Sequence, residues 1–369
     1  DIGNTGRIEG KVNRENEDID LALDWHDLQC PLQQPQIQSP NGHVAVAGNI
    51  DDYLLDIRAK VVVPEQTDAL LLIAGQGGRE ALELSRLEVS ALEGKLEGRA
   101  GISWKPELKG NVDLVGRGLN PGLILQDWPG KLGIALRAQG GIKDDQPSLQ
   151  LQELNVQGQL RGYELTLAAK GAHEGNLTIV ERLALSSGST RFEADGTISD
   201  TLDMTWQVHS DDLGTLLPDA KGRIDGKGTL AGSVKRPQVA TELTAEEVVY
   251  SDYRLKSLNL NADVDVTGEN QSRLSLTLQD GHAAGIELRK ITLDGQGDPG
   301  LHAFTLIADT SSGQADIVLQ GELQDPWQHN MAWNFRLDQV KLKYPDLDGW
   351  ALQSPSTGRI AAGQAQLSQ

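Results

Sequence analysis

Along most of the chain, apolar and polar residues alternate with a period of two. The clearest run places Leu258, Leu260, Ala262, Val264 and Val266 on one parity, and Asn259, Asn261, Asp263, Asp265 and Thr267 on the other. Successive strand side chains point to opposite faces, so this spacing predicts a β-strand with one apolar and one solvated face. Ile19, Leu21, Leu23 and Trp25, set against Asp18, Asp20 and Asp24, predict another. Residues 44–50 and 55–63 read as a hairpin turned near Asp51-Asp52, and residues 69–74 as a short apolar strand closed by Gly75.

One order of elements recurs. In residues 87–125, Leu92, Leu96, Ala100, Ile102 and Trp104 alternate with Glu93, Lys95, Glu97, Arg99 and Ser103, with Gly94 and Gly98 on the apolar parity. A polar turn at Lys105-Pro106-Glu107 follows, then Val112 and Leu114, then an exit through Asn120-Pro121 that predicts one helical turn. The order returns from Leu183 through Phe192 and Ile198, a Ser199-Asp200 turn, Leu202, Met204, Trp206 and Val208, and an exit at residues 212–218. A stretched copy runs from Ile291 through Ile317, Leu319 and Leu323, an Asp325-Pro326 turn, Trp333 and Phe335, to Tyr344-Pro345. Leu274, Leu276 and Leu278 mark a further strand between copies.

Recurrence of one supersecondary unit predicts a quasi-one-dimensional array, here with approximate units 18–86, 87–182, 183–290 and 291–369 in one continuous segment. The turns are too short for crossovers, so the sheet is expected to be mainly antiparallel.

Composition sharpens this picture. Hydrophobic residues make up 38% of the 369 residues but aromatics only 4%, with 41 glycines. Compact cores lean on aromatics, so this chain is expected to form a one-layer or folded-over sheet rather than a globule. The formal charge of −20 offers no basic surface to displace counterions from phosphate, which excludes nucleic acid as a partner. Cys30 is the single cysteine, so neither a disulfide framework nor a Cys-based zinc site can form. No run approaches the ~18 apolar residues that span a bilayer, so any signal or membrane anchor is expected to lie outside this segment.

Candidate chemistry is sparse. His26, His43, His173, His209, His282, His302 and His329 show no zinc-site spacing. The glycine-rich stretch at 222–232 lacks the Gly-Lys-Ser/Thr of a phosphate loop. Asp263 and Asp265, like Asp346 and Asp348, read as solvated strand-face carboxylates rather than calcium ligands, because no loop of alternating acids closes on a Glu. Trp104, Trp206 and Trp333 read as inner-face packing residues before sugar-stacking platforms. No catalytic residue, metal or cofactor is expected.

The phrase Gly226-Lys-Gly-Thr-Leu-Ala-Gly232, Lys235-Arg-Pro237-Gln-Val, Ala245, Tyr250 and Tyr253-Arg-Leu-Lys-Ser-Leu-Asn-Leu260 resembles the repeated signature of the TamB/AsmA-like family, most strongly over residues 180–270. The resemblance implies an all-β fold: a long, repetitive, mainly antiparallel sheet folded lengthwise into a U-shaped gutter (β-taco) with an apolar interior and few short helical turns. It implies a periplasmic protein of a Gram-negative cell, anchored in the inner membrane by a part outside this chain. It further implies phospholipid transfer to the outer membrane and, through regions outside this chain, an outer-membrane barrel partner of the TamA type.

The interior is then expected to be lined by Leu92, Leu96, Ile102, Trp104, Val112, Leu114, Phe192, Ile198, Leu202, Met204, Trp206, Val208, Leu258, Leu260, Val264, Leu274, Leu276, Leu278, Ile317, Leu319, Leu323, Trp333 and Phe335. Two other classes compete with this conduit: a structural or adhesive β-solenoid with a self-filled core, and a carbohydrate-active β-helix. A conduit needs an apolar face left open along its length, a solenoid a sealed core, and an enzyme clustered acids in a cleft.

Overall fold

The computed structural model describes residues 7–15, 18–30, 37–62, 68–283, 285–324, 331–344, 349–361 and 364–368. They divide into two units, Asp1–Ser187 and Gly188–Gln369. The first contains β1 (Arg7–Glu15), β2 (Asp18–Cys30), β3 (Ile37–Asn49), β4 (Asp52–Val62), β5 (Ala69–Gly77), β6 (Ala81–Ala91), β7 (Gly94–Ser103), β8 (Leu108–Leu119), β9 (Gly130–Lys143), β10 (Gln146–Leu160), β11 (Tyr163–Glu174) and β12 (Leu177–Ser187). The second contains β13 (Thr190–Ile198), β14 (Thr201–Ser210), β15 (Lys221–Ser233), β16 (Arg236–Tyr250), β17 (Tyr253–Asp265), β18 (Ser272–Ala283), β19 (Ile286–Asp298), β20 (Leu301–Thr310), β21 (Gly313–Gln324), β22 (Ala332–Lys343), β23 (Trp350–Ala351), β24 (Ser356–Ala361) and β25 (Gln364–Ser368).

In the first unit every strand from β1 to β12 pairs antiparallel with the next. The same meander runs from β13 to β22 in the second unit, where β22 also receives β23 and β24, and β24 receives β25. Each is an open antiparallel sheet. Among the described residues β1 pairs only with β2 and β25 only with β24, so the ladder is not closed into a barrel.

Tight turns explain the meander. Leu92-Glu93 and Asp144-Asp145 are two-residue hairpin loops with φ of 53°, 61°, 50° and 60°. Positive φ at both positions gives the turn whose twist matches that of paired strands. Leu92 therefore stands in a turn rather than in the alternating strand expected to contain it; its carbonyl accepts from Asn120 N at 2.8 Å. Trp104 lies just beyond β7, and its indole N–H donates to the Arg79 carbonyl at 2.7 Å.

The exit through Asn120-Pro121 forms the expected single helical turn, at Pro121–Leu123, and the exit at 212–218 forms one as well, at Leu213–Thr215. Asn120 Oδ1 accepts from Gly122 N at 3.1 Å and Asp212 Oδ1 from Gly214 N at 2.9 Å, each satisfying an amide the turn leaves open. The glycine-rich stretch at 222–232 lies inside β15. The expected Asp325-Pro326 turn, Pro345, Asp346, Asp348 and His329 lie outside the described residues.

Among the described residues, buried apolar side chains are few and mostly small: Ala59, Leu160, Leu165, Ala194, Ala220, Ala245, Ala262 and Ala332. The accessible surface is 23308 Å². A compact 39.8 kDa protein exposes about 14,000 Å². The larger value fits sheets whose ladders are not closed into a barrel.

Candidate functional site

Directly paired residues of antiparallel strands carry their side chains on the same face. The register therefore traces rows that cross the strands. In the first unit one row runs Leu23, Val44, Ile57, Ile73, Leu87, Gly98, Leu114, Leu136, Leu154, Ala169 and Leu183, from β2 to β12. In the second, Phe192, Val208, Gly226, Leu243, Leu260, Leu276, Leu293, Leu306, Ile317 and Val340 run from β13 to β22. Strands lie ~4.8 Å apart, so the first row extends roughly 50 Å along the hydrogen-bonding direction. Each row is apolar or glycine at every position.

Neighbouring rows repeat the pattern. Ala194, Trp206, Gly228, Thr241, Ala262, Leu274, Gly295, Phe304, Leu319 and Leu337 form the next one in the second unit. Thr241 is its one polar member, and its hydroxyl donates to the Lys227 carbonyl at 3.1 Å. Ser210, a fully buried neighbour of Ile224, shares a 2.7 Å hydrogen bond with Thr190, which meets Thr215 at 2.8 Å. These hydroxyls are thus turned into the protein.

The glycines and aromatics of this face belong together. Trp25 is paired with Gly42, Tyr53 with Gly77, Trp206 with Gly228, Phe304 with Gly295 and Phe335 with Gly358. A Cβ on any of these glycines would lie 2.0 to 2.8 Å from an atom of the partner ring. Each ring lies down on the bare backbone opposite it. The rings consequently lie against the sheet instead of standing out from it.

The opposite face is charged and wet. Lys227 pairs with Glu242 at 3.0 Å and Arg99 with Asp113 at 3.2 Å, both across strands. Glu88 and Glu97 face each other in register, and Lys95 bridges both. Hydrogen bonds from Arg86 and then Lys95 hold the Glu88 carboxyl down at about 2. His209 Nδ1–H donates to Asp225 Oδ1 at 2.7 Å, and that contact raises the His209 pKa above the ordinary value.

Of the positions expected to line an interior, Leu96, Ile102, Val112, Leu114, Phe192, Ile198, Leu202, Met204, Trp206, Val208, Leu258, Leu260, Val264, Leu274, Leu276, Leu278, Ile317, Leu319, Leu323, Trp333 and Phe335 occupy strand positions of the apolar parity. Ile102 and Ile198 are 42% and 39% exposed at strand ends, and most of the others are half-buried. The register adds Leu136, Leu154, Leu243, Leu293, Leu306 and Phe304, which the same period-two count would have found in β9, β10, β16, β19 and β20.

Asp265 departs from the expectation of a solvated carboxylate. It is 4% exposed, and its two oxygens accept from Thr267 N and Oγ1 at 2.8 and 2.6 Å, Asn270 N and Nδ2 at 3.1 and 2.8 Å, and Gln238 Nε2 at 3.2 Å. Burial pushes its pKa up, but the hydrogen bonds from Thr267 and Asn270 outweigh that and hold it below the usual value. It organises the loop between β17 and β18.

Residues 5–368 match the family model described as TamB, N-terminal domain. The chain is also similar to the translocation and assembly module subunit TamB of Haemophilus influenzae, 20% identical over 264 residues, which are 71% of this chain and 20% of that protein. It thus spans about a fifth of the length of that curated relative. No solved structure matches.

Proposed function

Given that the chain belongs to the TamB N-terminal domain family, we propose that its apolar face carries phospholipid acyl chains between the inner and outer membranes. The observation that carries this reading is the cross-strand rows, apolar from strand to strand within each unit and free of charge. A methylene removed from water gains ~0.8 kcal/mol, so ~15 methylenes laid along a row gain on the order of 10 kcal/mol before ordering costs. The attraction has no direction, so a chain can move from one strand to the next at nearly constant energy while its head group stays in water. This favours transport over storage, and over a solenoid that fills its own core.

The protein then works in the periplasm as part of a longer chain anchored in the inner membrane. The relative's name, a subunit of a translocation and assembly module, supports a role beside an outer-membrane barrel of the TamA type, contacted by regions beyond this segment. The approximate units 18–86, 87–182, 183–290 and 291–369 would be successive stretches of one path, lined by the apolar-parity residues above. Mass spectrometry of full-length protein extracted in mild detergent tests the reading. Co-purified phospholipid is expected, at several molecules per chain; protein that purifies free of lipid, with its β-content intact, would overturn it.

A further inference from the structure

One place on the apolar face of the second unit differs from the rest. Between the loops that follow β17 and β19 lies a recess of about 260 Å³, walled by Val264, Val266, Leu274, Phe304 and Leu323. Gly295 and Gly297 also border it, with the Phe304 ring lying over Gly295 and the Leu301–His302 backbone against Gly297. The recess exceeds the ~150 Å³ of an apolar cavity that stays dry and accepts benzene.

Arg273 and Gln296 border the recess from the parity opposite Leu274 and Gly295, and the polar side chains on its own face are hydrogen-bonded within the protein. Trp333 Nε1–H donates to His302 Nε2 at 2.8 Å. An indole can only donate, so His302 carries its proton on Nδ1, which donates to the Asp298 carbonyl at 3.1 Å. Asp298 Oδ1 accepts from Gly300 N and Leu301 N at 2.9 and 3.0 Å, and Oδ2 from Gln271 at 2.8 Å. Asp265 is spent on its own loop, as above. Beside the recess, His302 meets Phe304 edge-on at 5.6 Å and stacks on Trp333 at 6.2 Å, and Trp333 meets Phe335 at 4.8 Å. Two of the chain's three phenylalanines are in this group.

We infer that this recess is a station on the path, where the alkyl end of one acyl chain leaves the open face and is enclosed by Val264, Leu274, Phe304 and Leu323. The inference rests on the lipid-carrying reading and adds a place to it. With the polar side chains of its own face already hydrogen-bonded, and Arg273 and Gln296 on the opposite parity, the recess discriminates by shape and hydrophobicity, so its ligand is hydrocarbon and not a head group or sugar. Elsewhere on the rows a chain touches protein on one side. Here side chains wall it on more than one side, and each further methylene shielded from water raises occupancy about fourfold.

Full-length protein with a benzophenone side chain at Leu276, beside the recess, or at Leu243, on the same row two strands away, is mixed with phosphatidylethanolamine–phosphatidylglycerol vesicles and irradiated. Lipid adducts are counted by mass spectrometry. The yield at Leu276 is expected to exceed that at Leu243 by about fourfold or more. Val264→Phe or Leu274→Trp, which fill the recess with further hydrocarbon, should bring Leu276 down to the level of Leu243 and leave Leu243 unchanged. Equal yields at both positions in the parent protein overturn the station but not the path, and that comparison needs no filled variant to fold. An excess at Leu276 that survives filling also overturns the station. No adduct at either position rejects the lipid-carrying reading itself.

Discussion

Glycine at position 228 illustrates what individual residues do on this sheet. An added Cβ would sit 2.8 Å from Trp206 Cε2 and 2.7 Å from the Ala240 carbonyl oxygen, so a side chain there must lift the ring or push the neighbouring strand. Gly228→Val is expected to destabilise by ~1–3 kcal/mol in urea unfolding, the usual cost of overpacking, with a change in tryptophan emission as the ring moves. Gly110, whose added Cβ would meet only the Gly101 carbonyl oxygen at 3.5 Å, is the contrast. Gly110→Ala should be neutral or slightly stabilising, because it restricts the unfolded chain without a clash.

On the wet face, the His209–Asp225 contact makes a prediction in pH. The folded pKa is raised above the unfolded ~6.5, so the stabilisation is fully present below that pH and is lost as pH rises through the folded value. Asp225→Asn should lower the His209 pKa in an NMR titration; an unchanged midpoint would mean that the contact does not hold in solution.

At the scale of elements, the hairpins are short and the exits capped, so each strand is delivered beside its predecessor. The loop after β17 is the place where this depends on one buried side chain. Asp265→Ala leaves the amides of Thr267 and Asn270 and the side chain of Gln238 without their acceptor, at a cost of about 1–3 kcal/mol for buried groups so stranded. Asp263→Ala, two residues earlier on the exposed parity, should stay within ~0.5 kcal/mol, as surface substitutions usually do. Chemical denaturation of the two variants side by side checks the contrast. Loop order also shapes the recess, so Asp265→Ala should reduce the benzophenone yield at Leu276 as well.

For the molecule as a whole, the consequence of a path is that one block anywhere stops it. Leu96, Met204 and Leu319 sit on the apolar face in β7, β14 and β21. An inward carboxylate at any of them makes passing hydrocarbon desolvate a charge, which costs several kcal/mol. Leu96→Asp, Met204→Asp and Leu319→Asp should therefore reduce lipid delivery to a similar extent in cells, while Thr205→Asp and Gln320→Asp on the wet face should do little. If only one of the three blocks delivery while all three keep their expression and β-content, the function resides in a local site instead.

The sequence by itself determined that the chain is made of strands and which parity of each strand is apolar. That information is local: alternate side chains of an extended backbone diverge by geometry, whatever the strand pairs with. It also showed the helical turn after Asn120, though not the equivalent turn after Asp212, which reads from sequence as a break. It misplaced Leu92, where a tight hairpin took the position out of the strand, and Asp265, where the loop that follows folds back on the carboxylate. Only the tertiary structure decided which glycine lies beneath which ring, that the rows stay apolar from strand to strand, and that a recess opens between Val264 and Leu323. All three depend on register, which hydrogen bonds between strands and the bulges within them set, and a slip of one residue would exchange the two faces.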